Sequence, residues 1–521
     1  MKRENYIKNG IRKKIKYISA LMCCMLAFAG CSSSETAGEN TEEKENILVI
    51  ADTQCPTSLD PAESWNSWYT SRWGITETLF KLDGELESQP LLAESCEMAD
   101  KNTWVITLRD GVTFQNGNPL TAESVRLCWE RTAEINARFN ETLYIDSMEA
   151  DGNVLTVRTQ KPVPSLRNSL CDPLTGIIDV TADEDPAVNP VGTGPFMASG
   201  YEVKTRAEVV KYDGYWGGEP KLDGAVINII GDTSTLALAQ QNGETDVSVS
   251  MPSTSLELFS DTSKYNVDGV AGSRGEILFI NFDNEFLKER AVREAVNMCI
   301  DKKSLADIVN KGASVAASGL YPDFMDFGGD GELEYDPDGA KAVLDSAGIT
   351  DNDGDGIREL NGRKVSIRLA TYSTKAELAN FSSVIASSAQ NIGIEIIPEV
   401  YESVNEQQRT GDFDLLLVSF VMTPTGDPQY FADIAFRTGG SSNYGGYSNS
   451  EVDELINELD VEFDTERRTE LAGQIQDAIM EDAGFIVIGH SKYIYVMGSD
   501  VKGLKTNPSE YYLLDANVYL E

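Results

Sequence analysis

From Ile47 onward, apolar and polar positions follow two rhythms, and the chain switches between them many times. TWVITLRDG sets Trp104, Ile106 and Leu108 two apart, with Val105, Thr107 and Arg109 between them, the period that lines one face of a strand. ILVIAD, NVLTVRTQKP, AEVVKYDGYW and GAVINIIGD are further strand candidates. Other segments repeat at helical spacing. In ERAVREAVNMCIDKKSLADIVNKG, Ala291, Val292, Ala295, Val296 and Cys299 trace one face, and Asp301 begins a second helix. LTAESVRLCWERT opens on Thr121 as an N-cap, with Glu123 and Ser124 in the first turn. TSLDPAES reads as a turn that opens a helix around Trp65–Leu79. DPDGAKAVLDSAG and AELANFSSVIASSAQNIG predict helices ahead of the strands VSIRLATY and IEIIPEVY. EVDELINELD and TERRTELAGQIQDAIMEDAG predict amphipathic helices ahead of the apolar strand GFIVIGHSKYIYV. Strands interleaved with helices throughout predict an α/β protein.

The N-terminus has a different pattern. Lys2, Arg3, Lys8, Arg12, Lys13, Lys14 and Lys16 precede the apolar run YISALMCCMLAFAG. That run is shorter than the roughly 20 residues of a membrane-spanning helix, and it ends at Ala29-Gly30-Cys31. This is the grammar of a secretory signal peptide, residues 1–30, and the ending resembles a bacterial lipobox in which Cys31 is acylated. Residues 31–46 hold, after Cys31, no apolar side chain larger than Ala, as in a flexible tether. At 521 residues the chain exceeds one core, so at least two lobes are expected. Its net charge of −41 repels nucleic acid and anionic lipid. Cys55, Cys96, Cys128, Cys171 and Cys299 are widely scattered and form no CxxC, so the reading is small buried side chains, with one pair left open.

TSLDPAES, PLLAESCEMADKNTWVITLRDGVTFQNGNPLTAESV, NPVGTGPF, YDGYWGGEPKLDGAVINIIGDTSTLALAQQNGETDV, INFDNEFLKERAVREAVNMCIDKKSL and NYGGYSNSEVDELINE span nearly the whole body. In composition and order they resemble the extracellular solute-binding proteins of ABC importers, in the dipeptide, oligopeptide and nickel class (family 5). The strings also have scaffold roles: Gly111 and Gly117 supply turn conformations, and the glycines and prolines of NPVGTGPF fix a sharp reversal. The resemblance implies a two-lobed periplasmic-binding-protein-like fold whose lobes hinge shut over a ligand. Lobe I is expected at 47–270, with an extra subdomain at about 85–190. Lobe II is expected at 271–480, and 481–521 returns to lobe I.

The resemblance also directs attention to cleft residues. Trp65, Trp68, Tyr69 and Trp73 form an aromatic cluster after LDPA, and aromatic walls with few polar anchors suit small-molecule clefts. Arg274 and Glu276 flank a strand that borders the cleft in the family, and Asn443 and Tyr444 are further candidates. In peptide-binding relatives, an acid just ahead of the Asp-Pro pair neutralises the peptide ammonium. Here Met422, Thr423, Pro424, Thr425 and Gly426 precede Asp427-Pro428, so that acid is missing: either another acid, such as Glu276 or Asp427, takes over, or the ligand is not a free-amine peptide. The departure moves weight towards nickel-chelate relatives, although His490 is the chain's single histidine and nickel would need a ligand-supplied chelator. Separately, Asp351, Asp353 and Asp355 alternate ahead of Gly356 as in the first half of a calcium loop, without the Glu expected at position 362.

Three function classes follow. The first is a substrate-binding lipoprotein, monomeric and without cofactor, that captures a small peptide or related solute, or a nickel chelate, and hands it to a permease. It would touch the membrane by its lipid alone, on the extracytoplasmic face. The second is a secreted hydrolase, which the absence of HExxH and GxSxG and the single histidine disfavour. The third is a signalling or adhesion receptor on the same scaffold.

Overall fold

The computed structural model describes residues 46–521, apart from 330, 332 and 334. The leader, Cys31 and the tether up to residue 45 therefore lie outside the described residues. The expected strands and helices form, and their order gives an α/β architecture. One mixed sheet carries, in spatial order, Glu395–Tyr401, Ser366–Tyr372, Leu415–Val421, Tyr265–Ile280, Ile486–Gly498, Val247–Ser248, Ile47–Asp52, Gly224–Ile229, Arg206–Lys211 and Phe196–Glu202. Its middle is an antiparallel pair of long strands, Tyr265–Ile280 and Ile486–Gly498, of 16 and 13 residues. Tyr265–Ile280 pairs through its last residues with Leu415–Val421, and Ile486–Gly498 pairs through Val496 and Met497 with Val247–Ser248. The ladder between the two long strands breaks between Ala271 and Gly275.

Alternation decides which side chains fill which layer. Leu278, Ile280, Leu415 and Leu417 pack on one face of the sheet with Val292, Ala295, Leu344, Phe381 and Ile385 from three helices. Ile277, Phe279, Leu416 and Val418 face the other way, onto Val452, Ile456, Leu471 and Ile475. A separate core joins Leu48, Ile50, Val209 and Ile227 to Tyr495, Met497, Leu513, Leu514 and Val518 from the end of the chain. A four-stranded sheet, ordered Ala93–Asp100, Thr103–Leu108, Val154–Thr159 and Ile145–Asp151, packs on the helix Ala122–Ile135. That helix opens on a capping box in which Thr121 and Ser124 satisfy each other's backbone amides.

The helix expected around Trp65–Leu79 is shorter, running only from Ser67 to Arg72. Gly74 takes a φ of +67°, which ends the helix, and its carbonyl accepts from the Phe196 amide. Residues 75–79 then run as irregular chain past NPVGTGPF. A side chain at Gly192 would meet the Ile75 carbonyl at 2.0 Å, and one at Gly194 would meet the Gly74 carbonyl at 2.2 Å, so this crossing requires both glycines. Cys55, Cys96, Cys128, Cys171 and Cys299 are all free, the last three buried. Among the described residues, no helix is long and apolar enough to cross a membrane.

Candidate functional site

The short helix Ser67–Arg72 begins an aromatic wall. Trp65, half exposed, meets Trp68 edge-on at 5.5 Å, and Trp68 meets Tyr511 at 5.3 Å. Arg138 lies over the Trp65 ring at 4.0 Å and pairs through Nη1 with Asp172 at 3.1 Å. Asn136, the N-cap of the helix Ala137–Leu143, sets the position of Arg138 by accepting from its amide. Trp68 Nε1, Arg138 Nη2 and the Tyr511 hydroxyl are buried and have no hydrogen-bond partner among the described residues. Three donors left unpaired on one aromatic wall would each carry a desolvation cost, unless a ligand accepts from them. From the other half of the sequence, Tyr430 comes near enough to feel the charges of Arg138 and Asp172.

Behind this wall is a buried ionic knot drawn from four distant segments. Arg72 reaches Asp52 Oδ2 at 3.4 Å and Glu510 Oε2 at 3.7 Å, and Arg274 Nε donates to Glu510 Oε1 at 2.8 Å. Burial alone would raise the Glu510 carboxyl, but the guanidiniums of Arg274 and Arg72 together outweigh it and hold the group below its ordinary range. Burial dominates at Asp52 and pushes its carboxyl up. Two positions along the strand from Arg274, Glu276 is 1% exposed and accepts from the Ser491 hydroxyl at 2.5 Å. Burial pushes its carboxyl up to about 7.

The structure separates the other candidates read from the sequence from this wall. Tyr69 stacks with Trp73 at 5.8 Å beneath Arg72 and packs on the core around Leu48 and Ile50, to which the fully buried Trp73 belongs. Met422 and Thr423 are completely buried, Met422 among the apolar side chains beneath the sheet and Thr423 with its hydroxyl on Met325 sulfur, so neither offers a ligand contact. Asp427 is not a substitute acid, because both its oxygens accept from Arg468 Nη2, at 2.7 and 2.8 Å. Tyr444 packs edge-on to Phe279 at 5.1 Å, and Asn443 bonds the backbone of Arg437 and Tyr447. His490 is buried with both ring nitrogens unpartnered among the described residues, and burial lowers its pKa to about 3, so it stays neutral. In the acidic loop, Asp351, Asp353 and Glu359 bring carboxylates within 4.8 Å, so Glu359 takes the place expected of Asp355. Asp355 instead pairs with Lys364, whose ammonium also reaches Asp353 at 3.2 Å and supplies the positive charge a cation would bring. Arg138 and Tyr511 carry no mark in the sequence that singles them out; the one local signal at Arg138 is the Asn136 cap.

Segments from the two halves of the sequence also touch elsewhere. Asn168 Nδ2 donates to the Thr425 carbonyl at 3.1 Å, and Trp104 meets Phe463 at 6.2 Å. Gly426 lies so close to Leu86 that a side chain there would meet its carbonyl at 1.9 Å.

Comparison with known proteins places this architecture. Residues 87–443 match the model of the bacterial extracellular solute-binding proteins, family 5 (middle). A nickel ABC transporter protein from Bacillus halodurans superposes with a TM-score of 0.81 at 31% identity, covering 91% of this chain and 100% of that one. NikA from Staphylococcus aureus in complex with Ni(L-His)2 gives a TM-score of 0.76 at 27% identity, over 91% and 100% of the two chains. The dipeptide-binding protein DppE of Bacillus subtilis is 25% identical, over 96% of this chain and 98% of its own. The fold is thus the two-lobed one of these binding proteins, which bind a solute and do not transform it. This chain belongs to family 5 of the bacterial extracellular solute-binding proteins, the substrate-binding components of ABC importers.

Proposed function

We propose that this protein captures a small peptide or a related small solute against the wall of Trp65, Trp68, Arg138 and Tyr511 and delivers it to an importer permease. The unpaired donors on Trp68, Arg138 and Tyr511 carry this reading, because they suit an anionic or carbonyl-bearing ligand. The moving units are lobe I at 47–270 and lobe II at 271–480, with 481–521 returning to lobe I. The break in the central ladder between Ala271 and Gly275 is where such a hinge would bend. The contacts from Asn168 to Thr425 and from Trp104 to Phe463 suit the closed form. Small-angle scattering is expected to show an open envelope for the ligand-free protein, which compacts when a mixture of two- to five-residue peptides is added. An envelope unchanged at saturation with a bound peptide contradicts the trap.

A nickel chelate is the second reading. It is favoured by the likeness to NikA with Ni(L-His)2 and by the capture of Asp427 in an ion pair. With His490 buried and neutral, such a metal would arrive with its own ligands in place.

The mature protein is a monomer held to the membrane by lipid on Cys31, with residues 1–30 removed, as the basic head, apolar run and Ala-Gly-Cys ending together support. Mass spectrometry of the mature N-terminus is expected to find diacylated Cys31. An unmodified start elsewhere, with Cys31→Ala still membrane-bound, contradicts the anchor.

A further inference from the structure

A second place, on the paired strands Tyr265–Ile280 and Leu415–Val421, has unused hydrogen-bonding capacity. Glu276 stands directly opposite Ser419 in the antiparallel ladder, so their side chains leave the sheet on one face as neighbours. Glu276 Oε1 is satisfied by the Ser491 hydroxyl, but Oε2 is buried and unpartnered among the described residues. The Ser419 hydroxyl is likewise buried and unpartnered. A carboxylate oxygen can only accept, and a hydroxyl can accept through its lone pairs, so the two atoms together suit a donor with several hydrogens. Burying a carboxylate with an empty oxygen costs far more than burying a paired one.

The surroundings limit what that donor is. Arg274 shares the strand and face of Glu276 but spends its Nε on Glu510. Lys375, just before the helix Ala376–Asn391, feels Arg274, Glu377, Glu510 and lastly Glu276, and forms no ion pair with Glu276. Tyr372 meets the backbone amide of Ser419. His490 pairs with Gly275 in the ladder and therefore leaves the sheet on the opposite face. None of these side chains fills the acceptor pair. Two residues along the strand from Glu276, Arg274 pairs with Glu510, the chain neighbour of Tyr511 in the aromatic wall.

Resting on the solute-binding reading above, we infer that Glu276 and Ser419 form the receptor for a primary ammonium of the ligand, so that the solute is a free-amine peptide. The ligand's N–H groups donate to Glu276 Oε2 and Ser419 Oγ, while Ser491 holds the other carboxylate oxygen. Because burial raises the empty carboxyl to about 7, it is only partly ionised near neutral pH, and arrival of the ammonium completes the ionisation and releases the proton fraction it held. The charged groups that act on it are Lys375 and Glu377 from the helix start, while Arg274 on its own strand is paired with Glu510.

Calorimetry tests this with alanine peptides of two to five residues, free and N-acetylated, and with nickel plus L-histidine. For wild type, acetylation is expected to weaken binding by about 10- to 100-fold. At pH 7, free-amine binding is expected to release about half a proton, read from buffers of different ionisation enthalpy. Glu276→Gln is expected to abolish both the preference and the proton release. Ser419→Ala, a smaller change that spares the carboxylate, is expected to reduce the preference in part. Equal binding of free and acetylated peptides by wild type overturns the inference, as does a preference that survives Glu276→Gln. Binding of the nickel–histidine complex alone, unaffected by Glu276→Gln, also overturns it while leaving the solute-binding reading in place. Failure of every probe to bind removes that reading as well.

Discussion

Glu510→Ala is expected to lower stability by about 3–5 kcal/mol, the cost of leaving buried charge without its partner. Glu510 is the only carboxylate of the described residues placed between Arg72 and Arg274, whose side chains are 14% and 19% exposed. Asp52 remains for Arg72, but Arg274 loses its ion pair outright. Glu510 itself sits at a φ of +63°, a conformation alanine tolerates no better, so the substitution isolates the carboxylate and leaves backbone strain unchanged. Glu510→Gln keeps shape and hydrogen-bonding length and separates charge from packing. Urea melts of the three proteins, fitted with a common slope, decide the matter, and a loss under about 1 kcal/mol for Glu510→Ala would show that the knot is solvated. The same carboxyl contributes to acid sensitivity. Its folded pKa lies below its unfolded one, so folded protein binds fewer protons there. Its stabilisation is complete above the ordinary glutamate range and is lost as pH falls through the folded value.

Arg138→Ala is expected to weaken binding of a carboxylate-bearing peptide by about 30- to 150-fold, or roughly 2–3 kcal/mol. The guanidinium is a quarter exposed, which keeps the effect below that of a fully buried pair. It is held rigidly by the Trp65 ring on one side and Asp172 on another, so little ordering remains to be done when Nη2 meets an acceptor. Arg138→Lys keeps charge but loses the planar fork, and should fall between wild type and alanine. Trialanine and its C-terminal amide are suitable calorimetric probes. If Arg138→Ala binds trialanine as wild type does, the wall is packing and not a site.

The contrast between what is and is not legible in the sequence has a physical basis. Strands such as Thr103–Leu108 are legible because one buried face forces period-two alternation, and the helix after Thr121 because its cap is local. The helix from Trp65 reads too long because Ile75 is buried where irregular chain crosses the glycines at 192 and 194 and Leu79 in another core, so apolar residues continue past the helix without a regular backbone. The two-lobed fold is carried by ordered strings along the whole body. The site is only half legible. Arg274 and Glu276 stand out along the chain, yet what Arg274 does depends on Glu510, 236 positions away. Asp427 reads as a ligand contact because Arg468, 41 positions later, looks like an ordinary helix residue. Arg138 looks the same, and only tertiary structure leaves one of its nitrogens unpaired.

The central pair of strands bears on the order in which a ribosome can finish this molecule. Ile47–Asp52 is made early, but its neighbour Val247–Ser248 is joined to the rest of the sheet through Val496 and Met497. The core around Leu48 and Ile50 also waits for Leu513, Leu514 and Val518, and Arg72 waits for Glu510. Vectorial synthesis therefore delivers nearly the whole polypeptide before its opening segment has all its neighbours. Such long-range closure makes folding slow. For a protein that works outside the cell, a chain that closes late is suited to threading a translocation channel before it folds.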